Sequence, residues 1–469
     1  MTETIKMDKN TKIKWLFTLL IPAIIIALPA NEVFTQPIKM FLAITVCGIM
    51  MFIFEFFDPI VPSVLMPMFY MMFNVAPANV IYSGWLGKTP MVVFGALLFV
   101  AILNKTGIME RICYWIISKT GSNFTGLVIG LYIAGFFTAF VTSANSWAIY
   151  AVFTYGVAKC IGYANGPSKQ GAILVAVGSL SVMSVYGTVY SPAVAGLFQP
   201  AFEAIIPGFQ FTWTSHWWND FPQWFFPIFY MFILLKFFTP KTDIPGKEVF
   251  EEKLRELGPI TKDEKKTAVI FAFILAFLLT SAFHHIDCQW AFLIAPWIFF
   301  MPGINIGDQK VLKDMNYSML FMIVAFLGIG AVASYLQLNV MAANAMYPIL
   351  APVAGSPFGA QLIAGLIFLV CAGMNLILTP YAIYAAFTGP LAELVIQLGM
   401  NSPVFIYYVL AFAGDALILP YESVGYLLFF SMGLITLKDW FKLYSLKLVL
   451  QGLWMVLICV PWWKFVGIM

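Results

Sequence analysis

Two acids, Asp415 and Glu422, stand seven residues apart in one of the most apolar parts of the chain. Only Ala, Leu, Ile, Leu, Pro and Tyr separate them. An ionisable side chain deep in an apolar segment costs at least about 2.5 kcal/mol on insertion scales, so each is a candidate functional group. Two carboxylates sharing a low-dielectric site hold a proton or a cation between them. On a continuous helix a spacing of seven is two turns, which puts both acids on one face. The chemistry would be carriage of a proton or cation; a pair of hydrogen-bonded structural acids is the competing reading. A second group of residues is neutral. Ser143, Asn145, Ser146, Gly187, Thr188, Ser191, Thr379 and Ser423 interrupt apolar runs with hydroxyls, an amide and free backbone. Such groups can hold a small anion or an alkali cation. Asn145 is the strongest candidate, because its amide both donates and accepts.

The segments that must position these residues are membrane-like. Hydrophobic residues make up 61% of the 469-residue chain and charged residues 10%, against about 25% charged in soluble domains. Many stretches exceed the roughly 18 apolar residues that span a bilayer core. Hydropathy gives full spans near 15–30, 38–57, 59–76, 90–104, 170–206, 221–238, 267–283, 289–301, 317–336, 403–437 and 443–462. The first follows four lysines like a signal peptide, but no small-residue cleavage site stands out, and it is read as a retained helix. With the N-terminus cytoplasmic, 22 of the 25 Lys and Arg residues, Lys447 among them, fall on the inner side, leaving Lys39, Lys88 and Lys464 outside. That asymmetry fits the positive-inside rule and puts the C-terminus outside.

The chain also repeats itself. Ser146–Thr154 reads SWAIYAVFT and Pro380–Thr388 reads PYAIYAAFT, identical at six of nine positions and offset by 234 residues. A duplication of that length in so apolar a chain is the mark of a transporter, with its site where the halves meet near mid-membrane. The tyrosines of the repeat, Tyr150 and Tyr384, either reach the site or pack. Each repeat follows a polar interruption of a long apolar stretch, 122–163 or 357–398. The charges place both ends of the first stretch inside and both ends of the second outside. Two ordinary spanning helices would give the same sidedness; a re-entrant hairpin with a buried polar tip suits the sequence better. Hairpins opening to opposite faces make the repeats inverted. After each hairpin comes a helix interrupted by Pro, Gly and Ser: Gly187, Thr188, Ser191 and Pro192 in the first half, Pro420, Ser423 and Gly425 in the second. Such breaks free carbonyls for cations and amides for anions; a packing kink is the alternative.

The expected fold is therefore all-α and polytopic, with about eleven transmembrane helices and two re-entrant hairpins. An N-terminal tail and first helix occupy 1–37. The first inverted repeat is 38–238, with its hairpin at 122–163 and broken helix at 170–206. A cytoplasmic linker at 239–266 leads to the second repeat, 267–469, with its hairpin at 357–398 and broken helix at 403–437.

At these motifs the chain resembles the divalent anion/sodium symporter family of the ion-transporter superfamily. Asn104–Ile112 is similar to the family's turn after its fourth helix. Asn145-Ser146 sits where the family carries part of a Ser-Asn-Thr motif, and Gly187-Thr188 with Ser191-Pro192 resembles its first broken helix. Leu419–Gly433 with Asp439 matches the spacing of its last broken helix, and Leu398–Pro403 resembles the close of its second hairpin. The resemblance implies a dimerising scaffold domain and a transport domain moving as an elevator. It implies di- or tricarboxylate, sulfate or related anions as substrates, with sodium as the usual coupling ion. The chain departs from the pattern at Ala144, at Thr379-Pro380-Tyr381 and at Ser423-Val424-Gly425-Tyr426. These departures put a standard second sodium site in doubt.

The sequence carries no HExxH and no complete GxGD, and its six cysteines form no CxxC pair, so an enzyme is not expected. The net charge of +3 gives no sign of nucleic-acid binding. The expectation is a secondary transporter in the cytoplasmic membrane for a small anion, working as a homodimer within the lipid bilayer. Substrate contacts are assigned to Ser143, Asn145, Ser146, Thr188, Ser191, Thr379 and Ser423. Ion coupling is assigned to Asn145, Gly187, Asp415 and Glu422. No organic cofactor is expected, and a sodium ion at Asn145 and Ser146 is the one candidate inorganic ligand. Anion exchange, and a less anionic substrate such as a sulfonate or amino acid, stay open; a channel or intramembrane enzyme is more remote.

Overall fold

The computed structural model describes residues 9–54, 56–87, 89–121, 123–142, 147–183, 191–239, 247–280, 284, 286, 289–315, 317–376 and 378–469. No strand occurs among them. The first half runs α1 (Lys9–Ala27), α2 (Gln36–Ile53), α3 (Ile60–Met72), α4 (Thr89–Thr106), α5 (Ile108–Thr120), α6 (Phe124–Val141), α7 (Trp147–Cys160), α8 (Lys169–Met183), α9 (Pro192–Ile205), α10 (Trp213–Asn219) and α11 (Phe225–Ile233). After α12 (Glu248–Glu256) come α13 (Lys262–Leu279), α14 (Gln289–Ile298), α15 (Tyr317–Tyr335), α16 (Leu338–Ala354), α17 (Gly359–Met374), α18 (Pro380–Gln397), α19 (Phe405–Gly414), α20 (Val424–Ser431), α21 (Leu437–Trp454) and α22 (Val460–Phe465).

Four helical segments among the described residues are long and apolar enough to cross a membrane unaided: Phe124–Val141, Phe221–Phe238, Tyr317–Tyr335 and Leu437–Phe465. Most of the other apolar helices are shorter or bent, so eleven full-length spans do not stand out as single helices. At about 1.5 Å per residue, α6 alone is roughly 27 Å long, most of a hydrocarbon core. α4 and α5 form one bent unit, turned by 66°. The turn is Gly107, at φ 71°, a left-handed conformation in which a Cβ is strained. α15 and α16 are joined in the same way, with Gln337 left-handed at φ 60°. The hydropathy reading has no element between 336 and 357, so α16 is a correction. Its asparagines and its two internal prolines, Pro348 and Pro352, lower the hydropathy signal.

Two helices occupy the centre of the bundle. Every residue of α8 from Gly171 to Met183 is buried, and so is every residue of α19 from Phe405 to Ala413. A helix apolar all round belongs in such a place. At the end of α19 the freed Phe412 and Ala413 carbonyls accept from Gln451 and Asn375 and are enclosed by protein, as their polarity requires.

The 239–266 segment is held at its far end. Arg111 of α5 donates from Nε to Glu264 Oε1 at 2.7 Å and from its terminal nitrogens to the Gly258 carbonyl at 2.8 Å and the Leu257 carbonyl at 3.1 Å. Glu264 in turn accepts from the Thr261 amide at 2.6 Å, and Thr261 Oγ1 accepts from the Glu264 amide at 3.1 Å, a reciprocal cap at the start of α13. Burial works to raise the Glu264 pKa, but the Arg111 bond and the Thr261 cap hold it below the ordinary carboxylate value.

Candidate functional site

Several ends of interrupted helices meet in the core. A Cβ on Gly425, in the first turn of α20, would lie 2.7 Å from Met183 Sδ and 3.5 Å from Trp147 Cγ. The second-half break therefore abuts both the last residue of α8 and the first residue of α7. On the other side, Phe198 of α9 packs on Tyr384 of α18 with ring centroids 5.2 Å apart, and on Tyr407 of α19 at 4.8 Å. A Cβ on Gly414 would collide with the Tyr384 hydroxyl, so glycine is what allows α18 to close on the end of α19. Residues 415–423 bridge the two clusters.

Helix N-termini present N–H groups and partial positive charge. α9 starts at Ser191 and Pro192, α18 at Thr379 and Pro380, and α20 at Ser423. Thr379 caps its own helix, accepting from the Ala382 amide at 3.4 Å. Ser191, which is buried, and Ser423 make no such cap. The expected site residues Ser143, Asn145, Ser146, Gly187 and Thr188 lie outside the described residues.

The acids behave differently from each other. Because α19 ends at Gly414 and a short 3-10 turn covers Pro420–Glu422, Asp415 and Glu422 do not share a continuous helix, and the one-face expectation fails. Glu422 is buried and turns back on its own break. Its Oε1 accepts from the Leu419 amide at 2.6 Å and the Ile418 amide at 3.2 Å. It thereby takes up two donors that the break has freed. Asp415 caps α19 and faces Lys447 of α21. Lys447 Nζ donates to Asp415 Oδ2 at 2.6 Å, to the Asp415 carbonyl at 2.8 Å and to Tyr426 Oη at 2.9 Å. Tyr426 donates to Asp415 Oδ1 at 2.7 Å. All three ammonium donors and both carboxylate oxygens are used. Lys447 is 1% exposed, so it is not the loop lysine that the charge count makes of it. Behind it, Tyr444 stacks on Trp440 at 4.0 Å and its hydroxyl bonds Ser179 of α8.

Two further residues belong to this region and were missed by the site assignment. Lys447 is one; the signal was available, since it lies inside the apolar stretch 443–462. Asn375 is the other. It ends α17, is 1% exposed, and donates from Nδ2 to the Ala413 carbonyl at 2.9 Å. Its Oδ1 is buried without a partner among the described residues. Tyr150 packs rather than lining the site: its hydroxyl donates to the Leu131 carbonyl of α6.

An apolar all-helical bundle with polar helix ends sealed in its centre is the architecture of a multi-pass membrane transporter. Residues 9–469 match the family model described as the sodium:sulfate symporter transmembrane region, and the chain belongs to that family. Among solved structures it is similar to the YdaH transporter of Alcanivorax borkumensis, reported as having an unusual topology, with a TM-score of 0.52 at 14% identity over 97% of each chain. At that identity the likeness is one of fold. No curated protein matches the sequence significantly.

Proposed function

We propose that the protein is a secondary transporter of a small di- or tricarboxylate-like or inorganic anion across the cytoplasmic membrane, with the site at the meeting of α7, α8, α18, α19 and α20. The contact of Gly425 with Met183 and Trp147 carries this reading, because it brings the two halves together at helix breaks. Ser191, Thr379 and Ser423 with the tip residues Ser143, Asn145 and Ser146, and with Thr188, form the substrate shell. The two left-handed bends before the hairpins, Gly107 and Gln337, support a duplicated, inverted architecture in which α5 and α16 are counterparts. In this scheme the hairpins and broken helices move together against a dimeric scaffold, as an elevator. Uptake into proteoliposomes, screened over mono-, di- and tricarboxylates, sulfate, sulfonates and amino acids with and without sodium, tests it. Failure of every substrate to saturate an uptake signal overturns it.

The sidedness has its own test. Single cysteines beside Lys119 and Lys159, in a background lacking the six native cysteines, are expected to label only from the cytoplasm. Cysteines beside Gly355 and Asn401 are expected to label only from outside. Opposite labelling within either pair removes the re-entrant arrangement.

Glu422 is the remaining candidate for proton coupling, since Asp415 is engaged by Lys447. Its carboxylate stands in the break, where a proton would remove its repulsion of an incoming anion. Uptake is expected to rise as external pH falls from about 8 to about 5.5, because a protonated side chain no longer repels the anion. Glu422→Gln, which keeps an acceptor for Leu419, is expected to flatten that profile. An unchanged profile in the variant assigns the pH response to another group.

A further inference from the structure

The oxygens around Lys447 are of three kinds. One is a main-chain carbonyl, that of Asp415, released where α19 ends. One is a carboxylate oxygen and one a phenol. Hard oxygen donors of this kind, at the C-terminal end of a half-helix in the core of a transporter, are what coordinate an alkali cation. The negative end of the α19 dipole also faces the ammonium. Burying a charge pair is rarely the cheapest way to stabilise a core, and apolar residues of the same volume often do as well. Its presence at a helix break therefore calls for a role beyond packing.

The halves differ in this respect. Between Lys169 and Lys236 the first half contains no Lys or Arg at all. Its central helix, α8, offers Ser179 and Ser181 near its C-terminal end, both buried. The first half thus has no basic side chain to fill a matching position, while the second half carries its own.

We infer that the Lys447 ammonium is a tethered cation, which permanently fills a cation site at the second helix break and leaves only the first half to take a free one. The inference rests on the transporter reading above. It makes a transport cycle with at most one free coupling cation from the two breaks. The charge of the second site moves with the protein and is not released at either face. Asp415 is then the counter-ion of this cation, and Tyr426 fixes both, accepting from Lys447 and donating to Asp415.

The test removes the tether and offers a replacement. Wild-type uptake in proteoliposomes is expected to show a sodium dependence of order no greater than about one, the limit set by one free site. In Lys447→Ala, uptake without added cation is expected to fall about tenfold, as the cation-filled state becomes a minority population. Sodium or methylammonium is expected to restore it saturably, with the sodium order raised by about one over wild type. The purified variant is expected to melt about 3 °C higher in saturating methylammonium, with no such shift in wild type. Asp415→Asn with Lys447→Met, which leaves neither charge, is expected to fold and to show no methylammonium shift. A merely structural pair would impair Lys447→Ala while leaving the sodium order of its uptake unchanged, and that result overturns the inference. So does a wild-type sodium order of two, which is measurable even where Lys447→Ala does not fold. Absence of uptake by the wild-type protein refutes the transporter reading instead, and the melting comparison then decides on Lys447 alone.

Discussion

Asp415→Ala should be among the most damaging single substitutions in the chain. It leaves the Lys447 ammonium buried, 1% exposed, with a carbonyl and a phenol but no opposing charge. Removing one partner of a buried pair costs about 3–5 kcal/mol. That is a large share of the roughly 5–15 kcal/mol that separates folded from unfolded protein. The expected result is a melting temperature lower by about 10 °C, with aggregation during purification. Asp415→Asn is expected to be milder, because the amide oxygen still accepts from Lys447; in both variants the caps on the Phe412 and Ala413 carbonyls are untouched. Those caps come from Gln451 at 2.8 Å and Asn375 at 2.9 Å. Combining Asp415→Asn with Lys447→Met should recover most of the loss, since two well-packed neutral side chains replace a pair whose desolvation nearly cancels its attraction. A double-mutant cycle on melting free energy measures the coupling. Additive effects, or an Asp415→Ala protein that melts like wild type, would show that the ion pair does not hold the break together.

Much of the architecture is written in local patterns. The repeated AIYA segments fall near the starts of α7 and α18; the first polar interruption, at 143–146, lies outside the described residues. Pro192 and Pro380 open α9 and α18, positions that suit proline's missing N–H. What the sequence hides is what tertiary packing decides. The second break starts after Gly414 and not at Leu419, and glycine stands at that end because the Tyr384 hydroxyl takes the space a side chain would need. That early break turns Asp415 away from Glu422 and toward α21. Counting positive charges by loop treats every lysine as a surface group, so Lys447 passes for a cytoplasmic marker until its partner is seen. Residues 443–462 were already apolar enough to be a span, and a lysine inside a span should have prompted a search for its acid. Glu422 was legible as a charge in a break, but its bonds to the Ile418 and Leu419 amides depend on the turn geometry alone.

Asn145→Ala is expected to abolish transport without harming the fold. Residue 145 lies outside the described residues, but Thr142 and Trp147 on its flanks are described. Thr142, at the end of α6, is buried and bonded back to the Thr138 carbonyl at 2.8 Å. Trp147, at the start of α7, touches the α20 break through Gly425. The described residue on the C-terminal side of Asn145 thus lies beside the second-half break. The Asn145 amide can donate to an anion and accept from, or ligate, a cation. Losing a hydrogen bond to a charged partner costs about 1.5–3 kcal/mol. If Asn145 serves both substrate and coupling ion, the loss in uptake at limiting substrate should reach about 100-fold. Expression, detergent stability and oligomeric state are expected to match wild type, because the substitution removes a polar amide and no apolar side chain. Asn145→Ser should retain a few per cent of the activity, since the hydroxyl keeps a donor and an acceptor at shorter reach. The measurement is initial uptake rate over a range of substrate and sodium concentrations. Wild-type uptake by Asn145→Ala, with an unaltered sodium dependence, would move the site away from the first hairpin tip.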